Sequence, residues 1–170
     1  LSAGTHVASA QVTVDESITI RGAGEGATTI VTAAVSWGVY VTANDVSISD
    51  LSVNASAALT YGIKVNPPTS PIVPTDSLTG FALTNVTVQG AHRSEIDLNG
   101  VDGATLTNVT AIGNKANGAA TDGVGIGISD STGVTLTDIT TVDNGWGSIG
   151  LFSKGANWEE GTSGVTFLGS

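Results

Sequence analysis

The sequence predicts an all-β protein that folds as a parallel β-helix with three sheets and about five to six coils. A six-residue motif occurs four times, at residues 48–53, 83–88, 106–111 and 136–141. A four-residue motif occurs five times, at residues 38–41, 62–65, 95–98, 125–128 and 148–151. Repeats that start about 20 to 50 residues apart are typical of solenoids. Within the six-residue motif, apolar residues alternate with hydroxyl residues at the period of a strand.

Each coil is predicted to contain the same elements in the same order. The four-residue motif forms a strand of the first sheet, a loop follows, and the six-residue motif supplies a second strand, a corner and a third strand. The corners fall at Asp50, Asn85, Asn108 and Asp138. Asn and Asp suit these corners because they tolerate a positive φ. Residues 11–31 are predicted to form an earlier coil, and residues 165–168 begin a further, incomplete one.

The chain is predicted to form a single domain over residues 1–170. Neither end shows an amphipathic segment that could cap the stack, and an uncapped solenoid exposes unpaired strand edges. We therefore expect a module or fragment of a longer chain, or a unit that stacks on neighbouring domains or copies.

Composition argues against some classes of partner and excludes sites that need cysteine. The net charge is −10 and there are only five Lys and Arg residues, which argues against binding to nucleic acid or anionic membranes. The absence of cysteine excludes disulfides and thiolate metal sites. No segment has the pattern of a signal peptide or a membrane-spanning helix.

Two stretches carry a resemblance to a known group. Residues 12–31 (VTVDESITIRGAGEGATTIV) and 122–145 (DGVGIGISDSTGVTLTDITTVDNG) are similar to coils of right-handed parallel β-helix proteins of the pectate-lyase-like superfamily. That group includes polysaccharide lyases, alginate epimerases and phage tailspikes. The resemblance implies a right-handed coil, an extracellular or cell-surface location, and a polysaccharide bound along the first sheet.

The first sheet is therefore the place to look for outward-facing polar residues. Because strand side chains alternate, the residue between the two apolar residues of each four-residue motif is predicted to face solvent. These residues form one column: Tyr40, Lys64, Asp97, Gly127 and Gly150. Charged residues are predicted to converge around it in one patch: Lys64, His92, Arg93, Glu95, Asp97 and Asp122.

Such a patch suits an acidic sugar. Lys64 and Arg93 could neutralise a uronate carboxylate, Arg93 by a bidentate fork. The carboxylates of Asp97, Glu95 and Asp122 could hold calcium, which takes several oxygen ligands. The alternative interpretation is a surface ion-pair network between coils.

Catalysis is a further hypothesis, and the enzyme question stays open between a lyase and a uronate epimerase. A base such as His92, Lys64 or a neutralised carboxylate could remove the proton at C5 of the sugar. The candidate catalytic residues are Asp97, Lys64, His92 and Arg93. Asp97 matches an Asp that alginate epimerases carry on this sheet. The motif departs at Asn99, where those enzymes have His, and Asn99 is assigned to substrate binding with Glu95.

Aromatic residues are few and lie near the same face. Trp37 and Tyr61 are predicted to be neighbours in adjacent coils, Tyr40 lies in the outward column, and Trp146 lies in the equivalent loop of a later coil. All four could serve as sugar platforms. The alternative is that they cover the ends of the core.

Two other functions follow from other features. The outward residues of the second strands form a Thr-x-Thr ladder, which resembles the ice-binding face of β-solenoid antifreeze proteins, although Thr also favours strands in general. Uncapped ends would suit a structural or adhesive module of a surface protein or fibre, built by stacking.

Overall fold

The computed structural model describes residues 1–33, 36–57, 60–69, 74–113, 123–153 and 161–169. Within these ranges the chain forms sixteen strands and one 3₁₀ turn at Pro74–Asp76. The strands are β1 (Gly4–Ala8), β2 (Val12–Val14), β3 (Thr19–Arg21), β4 (Thr28–Thr32), β5 (Trp37–Val41), β6 (Ser47–Asn54), β7 (Tyr61–Val65), β8 (Leu78–Thr79), β9 (Ala82–Gln89), β10 (Ser94–Asn99), β11 (Val101–Asp102), β12 (Thr105–Ile112), β13 (Val124–Ser129), β14 (Thr135–Val142), β15 (Gly147–Phe152) and β16 (Thr166–Leu168).

The strands stack as a parallel β-solenoid of about 5 turns, which confirms the predicted fold class. The first sheet has six strands in the order β15-β13-β10-β7-β5-β2. The second sheet has eight strands, in the order β1-β4-β6-β9-β12-β14-β16 with β3 also paired to β6. A third sheet contains β8 and β11. All of these pairings are parallel, as a solenoid requires.

The second and third strands predicted for each full coil form one bent strand of eight residues, in β6, β9, β12 and β14. The bend lies at the predicted corner residues, whose φ angles are between 51° and 56°. One left-handed residue shifts the alternation of side chains. In β9, Leu83 and Val86 both face the core although they are three residues apart, and Asn85 between them stays half-buried.

The corner residues also hydrogen-bond to one another along the stack. Asn85 Nδ2 donates to Asp50 Oδ1 at 2.9 Å, and Asn108 Nδ2 donates to Asn85 Oδ1 at 3.0 Å. Arg21 pairs with the other oxygen of Asp50 at 2.9 Å. The Asn85 hydrogen bond is the main reason that the pKa of Asp50 lies below its ordinary value. Asp50, Asn85 and Asn108 therefore turn their coils and also tie these coils together.

The core fills the space between the first and second sheets. It consists mainly of Val, Ile and Leu, and most of these side chains are fully buried. The first sheet contributes two side chains per coil, for example Ile63 and Val65 in β7 or Ile96 and Leu98 in β10. Burial of each such side chain contributes about 1.5 to 3 kcal/mol. Because these side chains point into the core, the residue between them in each strand lies on the outward face of the first sheet.

Candidate functional site

The outward column of the first sheet is arranged as predicted. Tyr40 pairs in register with Lys64, and Lys64 pairs with Asp97. Asp97 pairs with Gly127, which pairs with Gly150. An aromatic, a basic and an acidic side chain therefore follow one another along the column, with two glycines after them. The two glycines carry no side chain, so the side chains of Asp97 and Phe152 can come close to this half of the column.

The middle of this column is not solvent-exposed, which corrects the expectation for Lys64 and Asp97. Lys64 is 5% exposed and Asp97 is 4% exposed. Their side chains form a buried ion pair, in which Lys64 Nζ donates to Asp97 Oδ2. The Tyr61 ring lies over this pair, with Lys64 Nζ 5.1 Å from its centroid. A large side chain from the neighbouring column thus covers a position that strand alternation alone places in water.

Tyr61 joins the two basic side chains of the site. Its ring centroid lies 5.8 Å from Arg93 Cζ as well as close to Lys64, within the range of cation–π contact. Burial raises the pKa of the Tyr61 hydroxyl above its ordinary value, and the negative charge of Asp97 adds to the increase. Trp37 is the register partner of Tyr61, as predicted, and its ring packs at 4.4 Å from that of Tyr40.

A small cleft of about 150 Å³ opens beside the ion pair. Its lining consists of two charged residues, three aromatic residues and two small residues: Arg93, Asp97, Tyr61, Trp146, Phe152, Ser94 and Val124. Trp146 is 67% exposed, and its ring stacks on Phe152 with centroids 5.9 Å apart and planes 2° from parallel. The cleft therefore combines a cation, a carboxylate and an exposed aromatic face.

The glycines of the outward column make room for this cleft. A Cβ on Gly127 would lie 3.0 Å from Asp97 Oδ1, and a Cβ on Gly150 would lie 2.5 Å from the Phe152 ring. Phe152 thus occupies the open space over Gly150 and closes that end of the column. The carboxylate of Asp97 turns its second oxygen toward Gly127.

Glu95 does not share the face of Asp97 as expected. It aligns with Gly62, between the register pairs Ser94–Tyr61 and Ile96–Ile63. A Cβ on Gly62 would meet Val88 and Ala55, which are core residues, so this position points inward. Glu95 is 1% exposed and its Oε2 accepts a hydrogen bond from Ala91 N at 3.1 Å. Burial raises the pKa of Glu95 to about 8, although hydrogen bonds from Ala91 and Gly90 act in the opposite direction.

The structure gathers only part of the predicted patch. Arg93, Asp97, Tyr61 and Trp146 line the cleft, whereas the half-buried His92 does not. Asn99 lies at the end of β10, where its Nδ2 donates to Asn66 Oδ1 at 3.0 Å in a separate polar ladder. Asp122 lies outside the described residues.

The predicted calcium ligands fit poorly in what the structure describes. No group of three or more His, Cys, Asp or Glu side chains in the described ranges is arranged to hold a metal ion. One oxygen of Asp97 is engaged by Lys64, and Glu95 is bonded to backbone amides. A calcium site would need Asp122, so calcium stays a prediction.

Three lining residues were not predicted, namely Ser94, Val124 and Phe152. Ser94 and Val124 occupy the same outward position as Tyr61 in later coils, so strand alignment could identify both of them. Phe152 lies two residues after Gly150, and alternation places it on the same face.

Comparisons with protein-family models, curated proteins and solved structures found no match to this chain. Within the described ranges there is no helix long and apolar enough to span a membrane. Arguments about function therefore depend on the chemistry of the site itself.

Proposed function

We propose that this chain binds acidic polysaccharide on the outward face of its first sheet. The observation that carries the proposal is the meeting of Arg93, Tyr61, Asp97 and Trp146 around one small cleft. An exposed indole face suits the apolar face of a sugar ring. A guanidinium suits a uronate carboxylate, which it can bind through two parallel hydrogen bonds.

The charge balance makes Arg93 the centre of this proposal. Lys64 is engaged by Asp97, whereas Arg93 is exposed and forms no ion pair with a carboxylate of the described residues. The chain carries a net charge of −10, so its overall field repels a polyanion. Binding of a polyuronate therefore depends on local contact with Arg93 and the aromatic residues.

The proposal is for binding, without a catalytic step. A general base must reach the proton that it removes and must be free to accept it. Asp97 and Lys64 are buried and paired with each other, and His92 lies outside the cleft lining. We also propose that the chain belongs to the pectate-lyase-like superfamily and is located outside the cell or on the cell surface.

Affinity electrophoresis tests the proposal. Native gels would contain alginate, polygalacturonate or a neutral glucan, each with and without calcium. We expect retardation by a polyuronate that is lost in Arg93→Gln and kept in Arg21→Gln, which removes the same charge from the second sheet. Unchanged migration in every gel, or equal loss in both variants, contradicts the proposal. Retardation of the protein only in gels that contain calcium would support the predicted calcium site.

A structural stacking role is a second candidate, favoured by apolar side chains that are exposed on β15 and β16. Leu151 and Phe167 are each more than half exposed there, although their register partners in the preceding coil, Ile128 and Leu136, are core residues. Stacking on a neighbouring domain or copy would cover them. Sedimentation velocity over a hundredfold range of concentration tests self-stacking, and a strict monomer would count against it.

Ice binding is a third candidate, favoured by the register of the second sheet. Thr105, Thr135 and Thr166 align in one row, and Thr84, Thr107 and Thr137 align in another. The rows are interrupted at Arg21, Ala82 and Leu168. Thermal hysteresis measured on the wild type would support this role, and its absence at millimolar concentration would remove it.

A further inference from the structure

We propose that the cleft takes a single acidic sugar ring, at a chain end or as a branch, and does not bind a length of polysaccharide backbone. This inference rests on the proposed function and adds the size and orientation of its ligand. It follows from the size of the cleft, from its closed ends and from the positions of its polar groups.

The size of the cleft matches one ring. Pockets for drug-sized ligands occupy roughly 300 to 1,000 Å³, whereas this cleft has about 150 Å³. A cavity of about 150 Å³ is sufficient for a molecule the size of benzene. One pyranose ring lying partly in the opening is therefore the largest unit that the lining residues can surround.

The outward column is blocked on both sides of the cleft. On one side Tyr40 packs against Trp37, and the buried pair of Lys64 and Asp97 follows. On the other side the Phe152 ring fills the space over Gly150. A polysaccharide running along the stack would need open space in several successive coils, and the described residues offer it in only one place.

The polar groups of the cleft can bind two features of an acidic sugar, its carboxylate and a ring hydroxyl. Arg93 supplies donors for the ring carboxylate and forms no ion pair within the described residues. Asp97 supplies an acceptor, because Lys64 engages Oδ2 while Oδ1 points toward Gly127 beside the cleft. A hydroxyl of the ring can donate to that oxygen. The exposed Trp146 supplies the stacking face.

Asp97 also rejects the wrong orientation. A carboxylate placed against Asp97 would meet like charge, so the acidic group of the ligand is directed to Arg93. A neutral sugar keeps the hydroxyl and stacking contacts but leaves Arg93 without a partner. The site therefore prefers a uronate ring over its neutral analogue.

Isothermal titration calorimetry on the complete chain tests this inference. The ligands are glucuronate, galacturonate and mannuronate, the methyl glycosides of the corresponding neutral sugars glucose, galactose and mannose, and then uronate oligomers of two to six rings. We expect the best uronate monosaccharide to bind within about threefold of its hexamer. Arg93→Gln should weaken the uronate at least tenfold and leave the neutral glycoside unchanged, while Arg21→Gln changes neither.

Three results would contradict the inference, and they can be told apart. Affinity that rises steadily over four or more rings, or polymer binding without monosaccharide binding, shows that a backbone is bound and leaves the proposed function standing. Absence of binding to every monosaccharide, oligomer and polymer removes both. An equal loss of acidic and neutral sugar binding in Arg93→Gln would contradict the assignment of Arg93 to the carboxylate.

Discussion

Lys64 and Asp97 are register partners on adjacent strands of the first sheet, and they form an ion pair that is almost fully buried. Parallel strands in register place such residues about 4.8 Å apart, which favours a direct contact. Burial removes both charges from water, so the Lys64 ammonium and the Asp97 carboxylate stabilise each other in place of water. Asp97 lines the cleft, and its pairing with Lys64 fixes the position of its carboxylate.

The ion pair should be much more sensitive to single than to double replacement. We expect Lys64→Met and Asp97→Leu each to lower the free energy of unfolding by about 3 to 5 kcal/mol, because each breaks a buried ion pair by removing one of its two charges. The double variant should recover most of that loss. Urea denaturation of the four proteins gives the coupling free energy. Additive effects of the two changes would show that the pair does not act as a unit.

The hydrogen bonds that join the corner residues Asp50, Asn85 and Asn108 predict a difference between two substitutions of Asn85. Asn85→Gly loses the hydrogen bonds with Asp50 and Asn108 but keeps an easy positive φ. Asn85→Ala loses the same bonds and also places a Cβ in the left-handed region, at a further cost of about 1 to 2 kcal/mol. Chemical denaturation should rank wild type above Gly and Gly above Ala. Equal stability of the Gly and Ala variants would rule out strain at this corner.

Glu95 should make stability fall as pH rises. Its folded pKa is about 8, above the ordinary value of 4.5, so below pH 4.5 both states carry the proton and Glu95 adds no pH dependence. Between these values the unfolded chain has lost the proton that the folded chain keeps, which favours unfolding by about 1.4 kcal/mol per pH unit.

Comparison with Glu95→Gln isolates this effect from the other acidic residues. The variant should gain stability relative to the wild type from pH 5 to pH 8, as measured by urea denaturation at each pH. A stability difference that stays constant over this range would mean that Glu95 is ionised in the folded protein.

The packing of Phe152 over Gly150 makes a prediction about the cleft. Gly150→Ala should push the Phe152 ring away, because the new Cβ would lie 2.5 Å from it. The ring is the far end of a movable side chain, so we expect little loss of stability but at least a fivefold loss of sugar affinity. Gly26→Ala is a matched control, since a Cβ there meets nothing within 4 Å. Unchanged affinity in Gly150→Ala would show that Phe152 does not shape the ligand site.

Much of the fold could be predicted because the repeats carry their own register. The spacing of the two motifs aligns Tyr40, Lys64 and Asp97, and Asn at the corners signals the positive φ that the structure has. Burial could not be predicted, because it depends on the Tyr61 ring that crosses from a neighbouring column. The alternation rule fails at Glu95, because an extra inward residue interrupts the alternation of side chains there while the strands stay in register. The available signal was Gly38, Gly62 and Gly125 at the same position in other coils.

The fluorescence of Trp146 tests the central claim most directly. Trp37→Phe/Trp158→Phe leaves Trp146 as the sole tryptophan, and Trp146 is exposed beside Arg93 in the cleft. Titration with polygalacturonate or alginate should change its emission saturably, and Arg93→Gln should abolish that change. If either polyuronate binds while the emission of Trp146 stays constant, the ligand lies elsewhere and the proposed site is wrong.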